Sequence, residues 1–280
     1  MMKQGFFRIF LTAAFCIAAV SCGKVDPQPS VSVPGVVGHK GAADIAPENT
    51  FASLDSCIRY DVEFMELDVM TSMDGVFYVI DRDDLSLKTD GEGLLSESLS
   101  SYVDGLDAGI KRGPQWAGQP VPRLEAMLEY LKPYKTRLLL DIDSCNVKSL
   151  VTLIKRTGSE DRILFTTKND WMMEEFTKEW PDNRNLQAYT KKVEDIDRII
   201  SLYHPEYIAM KYKYLNQEIV NYLHSRDLKV FSIVMDPDEE ERTPGWEEEI
   251  SRANNMSVEW GVDFISTDHP KALKAELARR

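Results

Sequence analysis

Eight short apolar segments, separated by polar or amphipathic sequence, constrain the fold of this chain more than any other feature. The segments are residues 36–40, 64–70, 137–143, 162–167, 185–190, 207–212, 229–234 and 264–268. Apolar residues at helical spacing, as in 216–225, indicate helices between most of them. Strands that alternate with helices form parallel sheets through right-handed connections. Eight such units predict an α/β fold, a closed (β/α)8 TIM barrel.

The interval between the second and third segments, residues 71–136, is longer than the connection that such a barrel needs. It opens with a β-type run at 76–80 and closes with an amphipathic pattern at 123–131. The Gly- and Ser-rich sequence between them, about 82–122, is predicted to be an insertion over one mouth of the barrel. We therefore place the barrel domain at 36–280, with this insertion after its second strand.

Residues 1–21 resemble a bacterial lipoprotein signal peptide. Lys3 and Arg8 precede an apolar stretch at 9–20, which is shorter than the roughly 20 residues that span a bilayer. Small residues before Cys22 resemble a lipobox, in which Cys22 is lipidated and becomes the mature N-terminus. An ordinary signal cleaved nearby, with Cys22 left as a thiol, is the alternative. Residues 22–35 contain three prolines and are predicted to be a flexible tether.

The charge balance restricts the partners of the chain. With 46 acidic and 33 basic residues, the formal net charge is −13, which leaves no basic surplus to bind nucleic acid. The same surplus of acid opposes electrostatic docking on anionic lipid. We expect an exported protein that is attached to a bacterial membrane, on its periplasmic side or at the cell surface, through the N-terminal lipid anchor only.

Carboxylates at the ends of the second and third predicted strands indicate a metal site, because TIM barrels carry their active sites at the C-terminal face. Glu66 and Asp68 alternate with apolar residues along one strand, so both side chains point to the same side of the sheet. Asp141 lies near the end of the next barrel strand and would bring a third carboxylate. Such an oxygen-rich site suits Mg²⁺ or Ca²⁺, and the cation would offset the mutual repulsion of the carboxylates. Taken singly, each carboxylate could instead be a helix cap or a surface charge.

An ordered set of short motifs resembles the glycerophosphodiester phosphodiesterase family. The motifs are Val37-Gly38-His39-Lys40-Gly41, Ala46-Pro47-Glu48-Asn49-Thr50, Glu66-Leu67-Asp68-Val69, Thr71-x-x-Asp74-Gly75, Leu85-x-x-x-Thr89-x-Gly91-x-Gly93 and the closing segment 260–270. The resemblance runs from about residue 36 to the end of the chain. It implies metal-dependent hydrolysis of a small-molecule phosphodiester, a glycerophosphodiester, to a glycerol phosphate and an alcohol. By position it assigns the metal to Glu66, Asp68 and Asp141.

The catalytic candidates are His39, Lys40 and Asp81, and two of them depart from the family pattern. His39 matches the first of the family's two catalytic histidines, which implies that it moves protons during the reaction. Lys40 stands where the family usually has arginine, and Asp81 stands where it has the second histidine. Because an ordinary aspartate is ionised near neutral pH, we expect Asp81 to be an extra metal ligand, a hydrogen-bond acceptor or a position whose function has lapsed. Replacing Asp81 by histidine is accordingly expected to raise activity on unactivated esters.

The substrate pocket that the resemblance implies is less cationic than that of the family. Asp143 stands where the family commonly has lysine. Lys168 and Lys211, at the ends of the fourth and sixth strands, could restore positive charge for an anionic phosphodiester or could be exposed loop lysines. With Glu48, these three residues are the candidates for substrate binding. His269 follows the last strand at the correct face of the barrel, but in a variable position of its loop.

Three functions are consistent with these residues. The first is a metal-dependent phosphodiesterase with altered acid–base chemistry. The second is a barrel that binds metal and ligand without catalysis, and the third is an enzyme for a sugar- or polyol-type substrate. The ordered motifs favour the first function, whereas the lost basic residues favour the other two.

Overall fold

Eight parallel strands form a closed barrel in the computed structural model, which describes residues 33–280. The strands of the described range are β1 Gly35–Gly38, β2 Phe64–Thr71, β3 Phe77–Val79, β4 Arg137–Asp141, β5 Ile163–Thr167, β6 Leu186–Tyr189, β7 Tyr207–Lys211, β8 Lys229–Ile233 and β9 Phe264–Thr267. The pairing of Val37 with Phe64 joins β1 to β2 and closes the sheet, while β3 pairs antiparallel with β2 outside the barrel. The predicted (β/α)8 barrel is confirmed.

Helices follow the barrel strands, as the amphipathic patterns predicted. They are α1 Phe51–Arg59, α2 Ser100–Val103, α3 Leu124–Leu131, α4 Val147–Thr157, α5 Asp170–Glu179, α6 Ile196–Tyr203, α7 Gln217–Ser225, α8 Trp246–Glu259 and α9 Pro270–Leu277. The helix predicted at 216–225 begins one residue later because Asn216 is its N-cap, and the Asn216 side chain accepts a hydrogen bond from the Ile219 amide at 2.9 Å.

The N-terminal predictions concern residues that the structure does not describe. The signal peptide, Cys22 and most of the tether lie within residues 1–32, outside the described residues. From residue 33 onward, every helix is too short or too polar to cross a membrane.

Side chains along the barrel strands alternate between two cores. In β4, Leu138 and Leu140 pack in the large outer core against the helices, whereas Leu139 packs in a smaller core inside the barrel. Phe64 of β2 belongs to the same inner core, and its ring lies 5.3 Å from that of Phe264. The barrel is therefore filled by apolar side chains on the inner face, and residues two or four positions further along β2 and β4 continue that face.

The connection from β2 to β4 has a small hydrophobic core of its own. Its fully or nearly buried members are Tyr78, Ile80, Leu85, Leu95, Val103, Leu106 and Val121. Asp104 accepts hydrogen bonds from the Tyr78 hydroxyl at 2.7 Å and from the Arg123 guanidinium at 2.8 Å, which ties α2 to the start of α3. The β-type run predicted at 76–80 forms β3. The chain that follows it contacts the loop between β1 and α1, where Lys88 donates to Glu48 and Arg112 donates to the Asp44 carbonyl.

Candidate active site

Three carboxylates meet on the inner face of the barrel at the C-terminal ends of β2 and β4. Glu66 and Asp68 continue the inner face of β2, and Asp68 is paired in register with Asp141 of β4. Each of the three offers an oxygen atom within 4.8 Å of the others. The predicted metal-site residues are thus brought together, because the strand alternation that puts Phe64 inside the barrel also puts these carboxylates there.

The electrostatics of this cluster favour a bound cation. Burial raises the pKa of Glu66 and Asp68, and it raises the pKa of Asp141 to about 6, with the neighbouring carboxylates adding repulsion. The Oδ1 atom of Asp141 is buried and has no hydrogen-bond partner among residues 33–280. An orphaned oxygen beside two more carboxylates fits a hard divalent cation, which takes oxygen ligands.

The loop between β1 and α1 holds two of the carboxylates in place. The Lys40 amide donates to Glu66 Oε2 at 2.7 Å, and the Asn49 side-chain amide donates to Asp68 Oδ2 at 2.9 Å. Lys40 and Asn49 both have left-handed backbone conformations, with φ of 52° and 57°. Such conformations are unfavourable for residues other than glycine, and they occur preferentially where a site requires them.

His39, at the end of β1, is paired with Asp268, which follows β9. The His39 Nδ1 and Asp268 Oδ1 atoms are 2.7 Å apart, and Asp268 Oδ2 accepts from the Asp236 amide at 2.8 Å. Burial lowers the pKa of His39, but the hydrogen bond to Asp268 and the charge of Glu66 outweigh it and raise that pKa to about 9. Asp268 therefore orients the imidazole and leaves Nε2 as the ring atom available for proton transfer.

Asp81 lies between two lysines. Its Oδ2 atom is 2.5 Å from the Lys40 ammonium, and its Oδ1 atom is 3.4 Å from that of Lys88, which is also 2.5 Å from Glu48 Oε1. Only 4% of the Asp81 side chain is exposed. Although burial opposes ionisation, the two lysines lower the pKa of Asp81 below its ordinary value. Asp81 is therefore a carboxylate near neutral pH, as expected, and it is a counter-ion for lysines.

The motifs that carry this geometry match a known family over most of the chain. Residues 39–272 match the family described as glycerophosphoryl diester phosphodiesterases. The chain belongs to this family. A glycerophosphodiester phosphodiesterase of Caldanaerobacter subterraneus subsp. tengcongensis is 26% identical over 253 residues, which cover 85% of this chain and 95% of that protein.

Solved structures show the same barrel. The glycerophosphodiester phosphodiesterase of Agrobacterium tumefaciens is 26% identical and superposes with a TM-score of 0.73, covering 86% of this chain and 99% of that one. A phosphodiesterase of Oleispira antarctica, solved with the product sn-glycerol-3-phosphate, is 23% identical with a TM-score of 0.75, covering 88% of this chain and 97% of that one. The second likeness shows the fold alone.

The remaining candidates of this family member lie around two clefts. The smaller cleft, about 370 Å³, is lined by Asp68, Asp81, Asp141, Asp143 and Lys168, among others. The larger, about 780 Å³, is lined by His39, Glu48, Lys211, Asp268 and His269, among others. The Lys168 ammonium is 3.7 Å from Asp141 Oδ2, but 68% of its side chain is exposed. Asp81 lines the smaller cleft and Glu48 the larger one. The ammonium groups of Lys40 and Lys88, which contact these carboxylates, therefore lie between the two clefts.

His204, His224 and His269 are the other histidines of the chain. His224 pairs with Asp263 at 2.9 Å, and both residues precede strands, at the end of the barrel opposite the carboxylates. His204 ends α6 in a left-handed conformation with φ of 47°. His269 lies at the active-site mouth, 3.0 Å from Asp236 and 3.5 Å from Asp44.

Two residues of the site were missed from the sequence. Asp268 lies 229 positions from its partner His39, and only the resemblance of segment 260–270 to the family's closing motif gave a signal for it. Lys88 lies 40 positions from Glu48, inside a family motif whose quoted positions were Leu85, Thr89 and the glycines. No periodicity connects a lysine in that motif with a distant carboxylate.

Proposed function

We propose that this chain hydrolyses glycerophosphodiesters at the C-terminal mouth of its barrel, in a reaction that depends on a divalent cation and yields a glycerol phosphate and an alcohol. The observation that carries the proposal is the cluster of Glu66, Asp68 and Asp141, within 4.8 Å of one another, beside the hydrogen-bonded pair of His39 and Asp268. Membership of a phosphodiesterase family supports the reaction. The glycerol phosphate bound to the Oleispira antarctica structure supports the product.

In this proposal the three carboxylates hold Mg²⁺ or Ca²⁺. When bound, the cation supplies charge neutralisation for the phosphate and polarises a glycerol hydroxyl. Asn49 and the Lys40 amide keep the carboxylates oriented, through the hydrogen bonds to Asp68 and Glu66.

His39 accepts at its Nε2 atom the proton of the glycerol hydroxyl that attacks phosphorus, and the alcohol leaves as a cyclic phosphate ester forms. Water then opens this ester to give the glycerol phosphate, and His39 returns the proton. Asp268 holds the other ring nitrogen at 2.7 Å and stabilises the imidazolium that forms. The charge of Glu66 is one of the causes that raise the pKa of His39. A cation bound by Glu66 would offset that charge and lower the pKa of His39 toward the range in which a histidine can both accept and donate protons. Lys168 and Lys40 contribute positive charge for the phosphate.

The test is a hydrolysis screen over glycerophosphodiesters. The protein is first freed of metal with a chelator and is then assayed with and without added Mg²⁺ or Ca²⁺. We expect turnover that requires the cation in the wild type and is lost in Glu66→Gln/Asp68→Asn. The matched control, Glu218→Gln/Asp227→Asn, removes two exposed carboxylates around α7 and should behave as the wild type. Cation binding without hydrolysis of any diester would favour the non-catalytic barrel, and preferential hydrolysis of sugar or polyol esters would favour the third function.

We also propose that the chain is exported and anchored to a bacterial membrane by lipidation of Cys22. The supports are the basic and apolar pattern of residues 1–21 and the small residues before Cys22. Cys22→Ala should leave the membrane fraction or remain unprocessed. Cys16→Ala, a matched change inside the apolar stretch, should fractionate with the wild type. Unchanged processing and membrane attachment in Cys22→Ala would contradict the lipid anchor.

A further inference from the structure

We infer that Lys88 is an active-site residue whose ammonium contacts the leaving alcohol oxygen on the side of the phosphate opposite His39, and that Asp81 is the residue that positions it. The inference rests on the proposed function and extends it to a residue of the β2–β4 connection. It starts from the group formed by Lys40, Asp81, Lys88 and Glu48, here named the lysine cluster.

The location of the lysine cluster gives the first step. Glu48 lines the cleft that contains His39, and Asp81 lines the cleft that contains two of the metal-site carboxylates. The Lys40 ammonium is 3.9 Å from Asp68 Oδ2, so the cluster reaches the metal site itself. In phosphoryl transfer the attacking and leaving oxygens lie roughly in line on opposite sides of phosphorus. If His39 serves one oxygen, the other faces the lysine cluster.

The identity of the donor in the cluster gives the second step. Asp81 is ionised and therefore offers no proton. The Lys40 ammonium is 2.5 Å from Asp81 and faces the metal-site carboxylate Asp68, which places it at the phosphate. An ammonium group has three N–H donors; Lys88 donates one to Glu48 Oε1 at 2.5 Å and forms an ion pair, at 3.4 Å, with Asp81 Oδ1. Its remaining donors and its 30% exposed side chain are available to a ligand bound between the two clefts that Glu48 and Asp81 line.

The local fold explains why Lys88 is held in place. A short 3-10 helix, Leu85–Leu87, precedes it, and Leu85 is fully buried in the small core of the β2–β4 connection. The hydroxyl of Thr89, which is also fully buried, donates to the Leu85 carbonyl at 2.8 Å. Lys88 thus lies between two anchored residues, and the carboxylates of Glu48 and Asp81 fix the end of its long side chain.

The role follows from the charges. As the bond from phosphorus to the attacking oxygen forms, the bond to the alcohol breaks and its electron pair stays on the alcohol oxygen, which is then protonated from water. A fixed cationic donor stabilises that developing negative charge. Lys88 therefore supplies charge stabilisation in the place where the family resemblance puts the second histidine, and Asp81 keeps both lysines in position.

The test compares Lys88→Met, Lys88→Arg and the control Lys229→Met on two glycerophosphodiesters, one with an alkyl and one with a 4-nitrophenyl leaving group. Lys229 is a matched control because its ammonium also pairs with a carboxylate, Glu206 at 2.9 Å, and it begins β8 at the opposite end of the barrel. We expect Lys88→Met to lower kcat on the alkyl ester by about 10²-fold, the cost of removing one such donor, and to affect the nitrophenyl ester much less. Lys88→Arg should keep most of the activity.

Each other outcome is decisive. An equal loss on both esters, or a folded Lys88→Arg as slow as Lys88→Met, would overturn the contact with the leaving oxygen. Wild-type-like turnover of Lys88→Met on the alkyl ester would also overturn it. Thermal melting of each variant separates these results from unfolding. A wild type that hydrolyses neither ester with Mg²⁺ or Ca²⁺ would instead remove the proposed function, and the inference with it.

Discussion

The two sides of the barrel mouth differ in how their charges are arranged. On one side, the His39 side chain pairs with Asp268, whose second oxygen accepts a hydrogen bond from the Asp236 backbone amide. On the other side, Asp81 is shared by the ammonium groups of Lys40 and Lys88. The first side is built around a group that can gain and lose a proton, and the second around charges that stay fixed.

This difference shows why a substitution at a catalytic position has to be considered with its neighbours. A carboxylate in place of a histidine removes a proton donor, but here the carboxylate also holds two cationic donors against the site. The pocket that looked less cationic in the sequence has a further lysine next to it, because Lys88 of the β2–β4 connection pairs with Glu48 on the wall of the larger cleft. The predictions below separate the side that transfers protons from the side that supplies fixed charge.

The largest effect is expected from the carboxylates that both sides share. Mg²⁺ or Ca²⁺ should raise the melting temperature of the wild type, because a ligand that binds only the folded state stabilises it by mass action. Glu66→Gln/Asp68→Asn should lose this response completely, while Glu218→Gln/Asp227→Asn should keep it. Differential scanning calorimetry at increasing cation concentration measures both. An equal rise in melting temperature for all three proteins would place the cation elsewhere.

His39→Gln tests the proton-transferring side. A positioned acid–base group contributes about 10²–10⁴-fold in rate, so we expect kcat to fall within that range. The kcat of Asp268→Asn should fall less than that of His39→Gln, because the imidazole remains and only its orientation and the stabilising charge of Asp268 are lost. Steady-state kinetics with saturating cation measure both, and protein melting checks the fold. A larger loss in Asp268→Asn than in His39→Gln would show that the aspartate has a further role.

Asp81→His tests the side with fixed charges, and the structure reverses the expectation drawn from the sequence. A neutral histidine would leave Lys40 and Lys88 without the carboxylate that they share, so we expect lower activity and a loss of roughly 3 kcal/mol or less in the free energy of unfolding. Adding Lys88→Ala should relieve part of the repulsion, so that the double variant is more stable than Asp81→His alone. Chemical denaturation measures this coupling. If Asp81→His alone hydrolyses an unactivated ester faster than the wild type, the expectation drawn from the sequence would hold and the one drawn from the structure would be wrong.

The sequence predicts the parts of the site that local patterns determine. Strand alternation places Glu66 and Asp68 on one face, and barrel geometry brings Asp141 to them, so the three carboxylates follow from periodicity and strand order. Lys88 does not follow in this way, because its role depends on how a 3-10 helix directs one long side chain toward Glu48. The partner of His39 likewise depends on the meeting of β1 and β9, the first and last strands of the barrel.

The smallest effect is expected from His269, which contacts the aspartates next to the His39–Asp268 pair and is remote from the lysine cluster in its contacts. Its imidazole pairs with Asp44 and with Asp236, whose amide in turn donates to Asp268. The hydrogen bonds to these two aspartates outweigh the opposing effect of burial and raise the pKa of His269 to about 9, from about 6.5 in the unfolded chain.

The sign of the pH dependence follows from that shift. A group whose pKa is raised by folding stabilises the folded state fully below its unfolded pKa, and the contribution is lost as the pH rises through the folded value. The difference in free energy of unfolding between wild type and His269→Gln should therefore be constant below about pH 6.5 and shrink as the pH approaches 9. Because 42% of the His269 side chain is exposed, solvent screening keeps the difference small. His39 titrates in the same range in both proteins, so its contribution cancels in the difference, which urea denaturation at several pH values measures. A difference that grows with pH would mean that His269 is neutral in the folded protein and that the two aspartates do not hold it as an imidazolium.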